Sequence, residues 1–167
     1  MYEVSEEWRE LEDYPGYSVS NLGEVINASS NRTLRISHTK QGAPKVGLSV
    51  EGRQSTRSIK VLVARAFVDG ETDVFNTPIN LDGDQDNNIF TNLMWRPRWF
   101  ALLYARQFAL DYSYYHQRAV IDLVRKERYV DIWDAATTNG LLFKDVLTSC
   151  HGGGWVFPTR QDFEQVE

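Results

Sequence analysis

The sequence PINLDGDQDNNIFTNLMW, residues 78–95, sets the fold expected for the rest of the chain. It contains the pair Asp82-Gly83, which predicts a turn because glycine takes positive φ without steric cost. Two amides, Asn87-Asn88, follow the turn, and Asn92 precedes the closing apolar residues. A buried asparagine amide donates and accepts hydrogen bonds at once, so it can hold two backbone segments together. We therefore expect a tight loop fixed by asparagine side chains.

The same stretch resembles the centre of the HNH endonucleases of the phage and intron homing type. In that family a hairpin carries an Asp-His or Asn-His pair, then an Asp-Gly turn, two asparagines, a further asparagine, a leucine and a tryptophan. The scaffold residues that match are Leu81-Asp82-Gly83, Asn87-Asn88, Asn92-Leu93 and Trp95. The HNH-equivalent catalytic positions fall on Ile79, Asn80, Asn92 and Ala101.

The residues that carry the chemistry of the family are replaced. The resemblance puts a metal ligand at Ile79, the general base at Asn80 and a second metal ligand near Ala101. HNH hydrolysis needs a divalent ion on the phosphate and a base to deprotonate water. An isoleucine and an alanine cannot coordinate a metal, and an asparagine cannot accept a proton near neutral pH. We therefore expect a preserved scaffold with no assigned catalytic residue, no metal site and no cofactor.

The acidic run Asp82–Asp86 also invites comparison with a calcium-binding EF-hand loop. Such a loop requires glycine at its sixth position and glutamate at its twelfth. Counted from Asp82, those positions hold Asn87 and Leu93, so a solvated turn is the better interpretation.

Composition predicts a folded protein of one or two small domains. The chain has 167 residues, of which 42% are hydrophobic, and contains no apolar run long enough to cross a membrane. Its N-terminus is acidic and lacks the pattern of a secretory signal. A single cysteine, Cys150, excludes an internal disulfide and suits a reducing compartment. We expect a cytoplasmic protein, located in the host cytoplasm if a phage encodes it.

The net charge of −5 conceals a blocky distribution. Residues 24–70 contain eight basic and three acidic side chains, and residues 96–130 contain seven and three. The remaining segments are acidic. A whole-surface attraction to nucleic acid is therefore excluded, but the basic segments could form one DNA-binding face.

Residues 1–70 are predicted to be a β-rich accessory region that contacts DNA. The segment EEWRELEDYPGYSVSNLGEVIN, residues 6–27, resembles a module that precedes the core of many phage homing endonucleases. Trp8 is the expected anchor of its acidic lead. Residues 32–60 predict a β-meander, in which a two-stranded ribbon with a basic edge would fit a DNA groove. An ordinary solvated sheet face is the alternative. With Lys144 from the C-terminal region, the expected DNA-binding residues are Arg35, Lys40, Lys45, Arg53, Arg57, Lys60 and Lys144.

The second half of the chain predicts two further regions. Residues 71–115 would form a degenerate HNH core, including an aromatic helix over 98–115 that packs as core or meets a protein partner. Residues 118–158 resemble the helix-turn-helix repeat that follows HNH domains, with Asp134 as a helix cap and Lys144, Asp145, Thr148 and Ser149 exposed on the second helix. Residues 159–167 read as an acidic tail. The expected class is α+β: a small antiparallel β-meander, a ββα-metal (HNH-like) core and a C-terminal helix-turn-helix-like module.

Three functions remain open from the sequence. The first is a catalytically inactive, phage-encoded relative of HNH homing endonucleases that binds double-stranded DNA. The second is an active nicking endonuclease with relocated ligands, drawing on Asp82 or Asp84 and requiring Mg²⁺ or another divalent ion. The third is a protein-interaction or virion-associated module that uses the aromatic helix.

Overall fold

The computed structural model describes residues 5–112 and 118–166. Its strands are β1 Trp8–Glu10, β2 Tyr17–Ser20, β3 Val25–Asn27, β4 Arg32–Thr33, β5 Ser37–His38, β6 Pro44–Val50, β7 Arg53–Ser58, β8 Thr77–Asn80, β9 Leu93–Arg96, β10 Val120–Asp122, β11 Arg128–Tyr129 and β12 Phe163–Gln165. Its helices are α1 Ile59–Phe67, α2 Arg98–Gln107, α3 Ile132–Thr138 and α4 Phe143–Gly152, with a 3₁₀ turn at Phe90–Asn92. Over the described residues, no helix has the length and apolarity that a membrane span requires.

The chain divides into two compact units. The first comprises Met1–Asn80 and Asp84–Arg98, and the second comprises Leu81–Gly83 and Trp99–Glu167. Every paired strand in the described sheets is antiparallel. The predicted α+β class is confirmed. The four regional boundaries expected from the sequence stay a prediction.

The first sheet of unit 1 has the order β1-β2-β3-β4. Tyr17, Val19 and Val25 are buried in it, as alternation in short strands predicts. The Tyr17 hydroxyl donates to the Ser49 carbonyl at 3.2 Å and accepts from the Ser49 amide at 3.1 Å. Trp8 does not anchor this region: 38% of its side chain is exposed, and Leu11 is buried instead.

The second sheet of unit 1, β5-β6-β7, supports helix α1. Along β6 the side chains alternate, with Val46 and Leu48 buried and the intervening residues exposed. Strand β7 has the sequence RQSTRS and buries none of its residues, which suits its place at a sheet edge. Helix α1 follows it directly and packs Ile59, Leu62, Val63 and Ala64 into the core.

Strands β8 and β9 form the hairpin expected at the centre of the chain. Ile79 lies opposite Met94, and Asn80 lies opposite Leu93. The indole Nε1 of Trp95 donates to the Val68 carbonyl at 2.9 Å, which ties the hairpin to the end of α1. Helix α2 follows β9, so the chain has the strand-strand-helix order predicted for a ββα core.

Helix α2 is shorter than the sequence suggested, because it ends at Gln107. Phe100, Tyr104 and Gln107 are its buried residues, spaced along one helical face. The apolar Trp99, Leu102 and Leu103 are exposed instead. Residues 113–115 of the expected aromatic helix lie outside the described residues.

The rest of unit 2 combines a small sheet, β11-β10-β12, with α3 and α4. A turn at Lys126 joins β10 to β11, and Lys126 takes a positive φ of 63° there. Helix α3 is capped by Asp131 and not by Asp134, because the Asp131 carboxylate accepts from the Asp134 amide at 2.8 Å. The segment expected as an acidic tail differs from that expectation: Phe163 is buried and β12 pairs with β10.

Candidate functional site: the asparagine hairpin and the basic ribbon

The β8–β9 hairpin is held by asparagine side chains. Asn80 Nδ2 donates to the Asn87 carbonyl at 2.9 Å and to Asn88 Oδ1 at 3.2 Å. Asn92 Nδ2 donates to the same Asn87 carbonyl at 2.8 Å. Asn88 Nδ2 in turn donates to the carbonyls of Gln85 and Asp86, at 3.0 and 3.3 Å. The loop is therefore fixed by amide-to-backbone bonds, as the sequence predicted.

The HNH-equivalent positions Ile79, Asn80 and Ala101 carry apolar or amide side chains. Ile79 is 2% exposed and Asn80 is 5% exposed, so both side chains are committed to the interior of unit 1. Ala101 lies in α2 and offers only a methyl group. Among residues 5–112 and 118–166, no group of three or more His, Cys, Asp or Glu side chains is arranged to hold a metal ion.

The acidic residues of the loop are engaged locally. Asp84 accepts a hydrogen bond from the Asp86 backbone amide at 2.9 Å, in the manner of an Asx turn. Asp86 Oδ1 lies 3.0 Å from His38 Nε2, so the loop contacts strand β5. No local sequence signal indicates this contact, because the two residues are 48 positions apart.

Lys60 is the one predicted DNA-binding residue that reaches the hairpin. It lies in the first turn of α1, and its Nζ approaches Asn80 Oδ1 at 3.5 Å. Burial lowers the pKa of the Lys60 ammonium below its usual value, because the charged form loses hydration.

The other predicted DNA-binding residues of unit 1 are not all on one face. In the β6–β7 ribbon Arg57 lies opposite Val46 and Arg53 opposite Val50, whereas Lys45 lies opposite Ser58. Side chains directly opposite each other share a face, so the two arginines lie on one face and Lys45 on the other. Arg53 and Arg57 are exposed, as are Arg35 and Lys40 in the preceding segment.

Tyr14 restricts one of these arginines. The Arg57 guanidinium lies 5.3 Å from the centre of the Tyr14 ring, and its Nε donates to the Tyr14 hydroxyl. An arginine held in this way loses less side-chain entropy when it binds an anion. No local sequence signal could have paired residues 43 positions apart.

In unit 2 the predicted helix pair is present, but its exposed set differs. Lys144 and Thr148 are exposed on α4, and Asp145 is half-buried. Ser149, predicted to be exposed, is buried: its hydroxyl donates to the Gly154 carbonyl and accepts from the Phe163 amide at 2.9 Å. Lys144 is therefore the one cation exposed on α4 apart from any charge on His151.

Comparison with known proteins finds a matching motif, similar sequences and a similar structure. Residues 6–49 match the NUMOD4 motif. The DNA endonuclease I-HmuI of Bacillus phage SP01 is 38% identical over 90 residues, which is 53% of this chain and 51% of that protein. A solved structure of the HNH homing endonuclease I-HmuI, concerned with its DNA binding and cleavage, matches with a TM-score of 0.56 and 25% identity, covering 96% of this chain and 98% of that one.

These similarities support a relationship to the HNH homing endonucleases. A further relative is the uncharacterized HNH endonuclease L247 of Acanthamoeba polyphaga mimivirus, 25% identical over 123 residues, or 74% of this chain and 31% of that protein. The chain spans about half, or less, of the length of the curated relatives it matches.

Proposed function

We propose that this protein binds double-stranded DNA and no longer hydrolyses it. The proposal rests on one observation: the hairpin scaffold is intact, while Asn80, at the general-base position, is wholly engaged in holding it. Its Nδ2 donates two hydrogen bonds and its Oδ1 receives the Lys60 ammonium. An amide used in this way can neither accept a proton from water nor move to do so.

The absence of ligand chemistry at the neighbouring positions supports the same conclusion. The two positions that the family resemblance assigns to metal ligands, Ile79 and Ala101, have side chains without a donor atom. Without an ion to polarise the phosphate and without a base to activate water, the two main contributions to hydrolysis are missing together. The occurrence of the relatives in a phage and in a giant virus supports a viral origin, and we infer that a phage encodes this chain.

DNA binding is assigned to the exposed cations of the β6–β7 ribbon and the segment before it. Arg53 and Arg57 are four residues apart on one strand, which separates them by about 13 Å along the edge. That spacing allows contact with two phosphates of one duplex. Lys144 on α4 provides a second basic contact in unit 2.

Two assays on the same protein test the proposal. Fluorescence anisotropy with a labelled duplex across a salt series should give an affinity that falls steeply with salt. Incubation of the same protein with supercoiled plasmid and Mg²⁺ or Mn²⁺ should leave the plasmid intact. Nicking that requires the metal and is abolished by Asp82→Ala or Asp84→Ala would instead establish an active enzyme with relocated ligands.

A second candidate function is a protein-interaction module. It is favoured by the exposed apolar side chains of α2, since Trp99 and Leu102 are 55% and 59% exposed. Absence of DNA binding at low salt, together with a stable protein complex lost on Leu102→Asp, would replace the DNA-binding proposal with this one.

A further inference from the structure

The positive charge of Lys60 contributes little to the stability of the folded protein. Lys60 is half-buried, and burial lowers the pKa of its ammonium with no opposing contribution from a neighbouring carboxylate. It also lies in the first turn of α1, which contains no acidic residue. The helix dipole disfavours a positive charge at that end.

No ion pair offsets these costs. Among the described residues, none of the ion pairs includes Lys60. A partly desolvated charge without a counter-charge is destabilising. An anion supplied from outside the chain would compensate this charge.

The surroundings of the Lys60 ammonium are suited to hold such an anion. Within the described residues its hydrogen-bond acceptor is Asn80 Oδ1, at 3.5 Å, which is longer than the usual range of about 2.7–3.2 Å. An ammonium has three N–H donors, so two remain available to an incoming oxygen pair. Asn80 is itself held in place by its hydrogen bonds to Asn87 and Asn88, so the acceptor of the Lys60 ammonium has a fixed position.

We propose that the Lys60 ammonium, supported by Asn80, binds one phosphodiester of the DNA backbone at the hairpin without any metal ion. This inference rests on the proposed DNA-binding function. It adds a specific phosphate-binding site on the hairpin, separate from the ribbon. The fixed positive charge of Lys60 draws the phosphate to the face where the family resemblance would place a cation-dependent step. A single lysine binds phosphate as a point charge.

The test compares variants of the full chain in anisotropy titrations with duplex DNA, in the presence of EDTA. Lys60→Met keeps the alkyl stem and removes the charge, Lys60→Arg restores a charge, and Lys126→Met removes an exposed lysine of unit 2. Lys60→Met should reduce the slope of log K against log salt by about 0.9 and weaken binding roughly five- to tenfold near 0.1 M salt. Lys60→Arg should recover most of the affinity, and Lys126→Met should match the wild type.

Two further readouts separate a binding role from a structural one. The melting temperature of Lys60→Met should equal or exceed that of the wild type, because an unpaired, partly buried charge has been removed. The ¹³Cε signal of Lys60 should shift when duplex DNA is added. If the ¹³Cε signal shifts with inorganic phosphate but not with DNA, Lys60 binds a free anion and the proposal is wrong.

The outcomes distinguish this inference from the function on which it rests. In one outcome, the wild type binds DNA and folded Lys60→Met binds it with the same salt slope and affinity. In that case the proposal that Lys60 binds a phosphate is wrong, and the proposal that the ribbon binds DNA is unaffected. If the wild type does not bind DNA at low salt, the proposed function itself fails and the inference fails with it.

Discussion

At the scale of single residues, Gly83 shows why the central loop tolerates so little change. Its φ is +77°, and a Cβ built on it would lie 2.5 Å from ring carbons of Phe108. That ring is held between Tyr104 and Trp133, with ring centres 5.5 and 5.1 Å away, so it cannot move aside freely. We expect Gly83→Ala to reduce the free energy of unfolding by about 2–5 kcal/mol, from a strained φ and an overpacked ring.

Gly42 provides the matched control for this prediction. It has a similar φ of +87° but nothing within 4 Å of its added Cβ. Gly42→Ala should therefore cost only the backbone strain, about 1–2 kcal/mol. Urea denaturation of both variants measures the difference, and equal losses would show that the contact with Phe108 contributes nothing.

Cys150 is expected to be an unreactive thiol. Burial raises its pKa to about 11, with the nearby Asp162 charge acting in the same direction. Since only the thiolate reacts, on the order of one molecule in a thousand would be reactive at pH 8. Labelling with a disulfide reagent should be slow at pH 8, accelerate as pH rises towards 11, and become rapid in denaturant. Fast labelling of the native protein at pH 8 would contradict this placement.

At the scale of elements, the cap of α3 makes a testable contribution. Asp131 accepts from the Asp134 amide at 2.8 Å, which satisfies a backbone donor that the helix leaves open. Asp131→Ala should lower the free energy of unfolding by about 1 kcal/mol. Asp131→Asn keeps an acceptor at the same position and should cost much less. If thermal denaturation shows both variants equally destabilised, the carboxylate acts through its charge and not as a cap.

The elements also show how far the sequence could predict this molecule. The asparagine loop and the β6–β7 ribbon were predicted because their signals are local: an Asp-Gly turn, paired amides and strict alternation. Helix α2 was predicted too long, because its apolar run does not reveal that Phe100 and Tyr104 face inward while Trp99 is exposed. Strand β12 was missed because its pairing with β10 is non-local and its sequence is largely polar.

Some features of the candidate site could likewise be predicted from the sequence, and others could not. The replaced positions Ile79 and Asn80 were visible in the sequence, because a motif is compared position by position. The contact of Lys60 with Asn80 was not, since a helix and a strand 20 residues apart had to be brought together by the fold. Nor could the sequence reveal that Lys45 lies on the opposite face of the ribbon from Arg53 and Arg57, which depends on the register.

At the scale of the whole molecule, the proposed function requires an acidic chain with a net charge of −5 to bind DNA. If DNA affinity depends on cations that contact phosphates, the position of each charge affects that affinity more than the net charge does. This can be tested with two triple variants that change the net charge equally. One removes charge from the exposed cations of the ribbon and the segment before it, Lys40→Gln, Arg53→Gln and Arg57→Gln. The other removes it from exposed positions of unit 2, Arg118→Gln, Lys126→Gln and Arg128→Gln.

The ribbon variant should reduce the slope of log K against log salt by about 2–3, because each phosphate contact contributes about 0.9. The unit 2 variant should change the slope by less than one contact, since the Debye length of about 10 Å at 0.1 M salt screens distant charges. Anisotropy titrations from low to moderate salt measure both slopes on the same duplex. Equal losses in the two variants would mean that DNA responds to overall charge, and the ribbon would then have no special role.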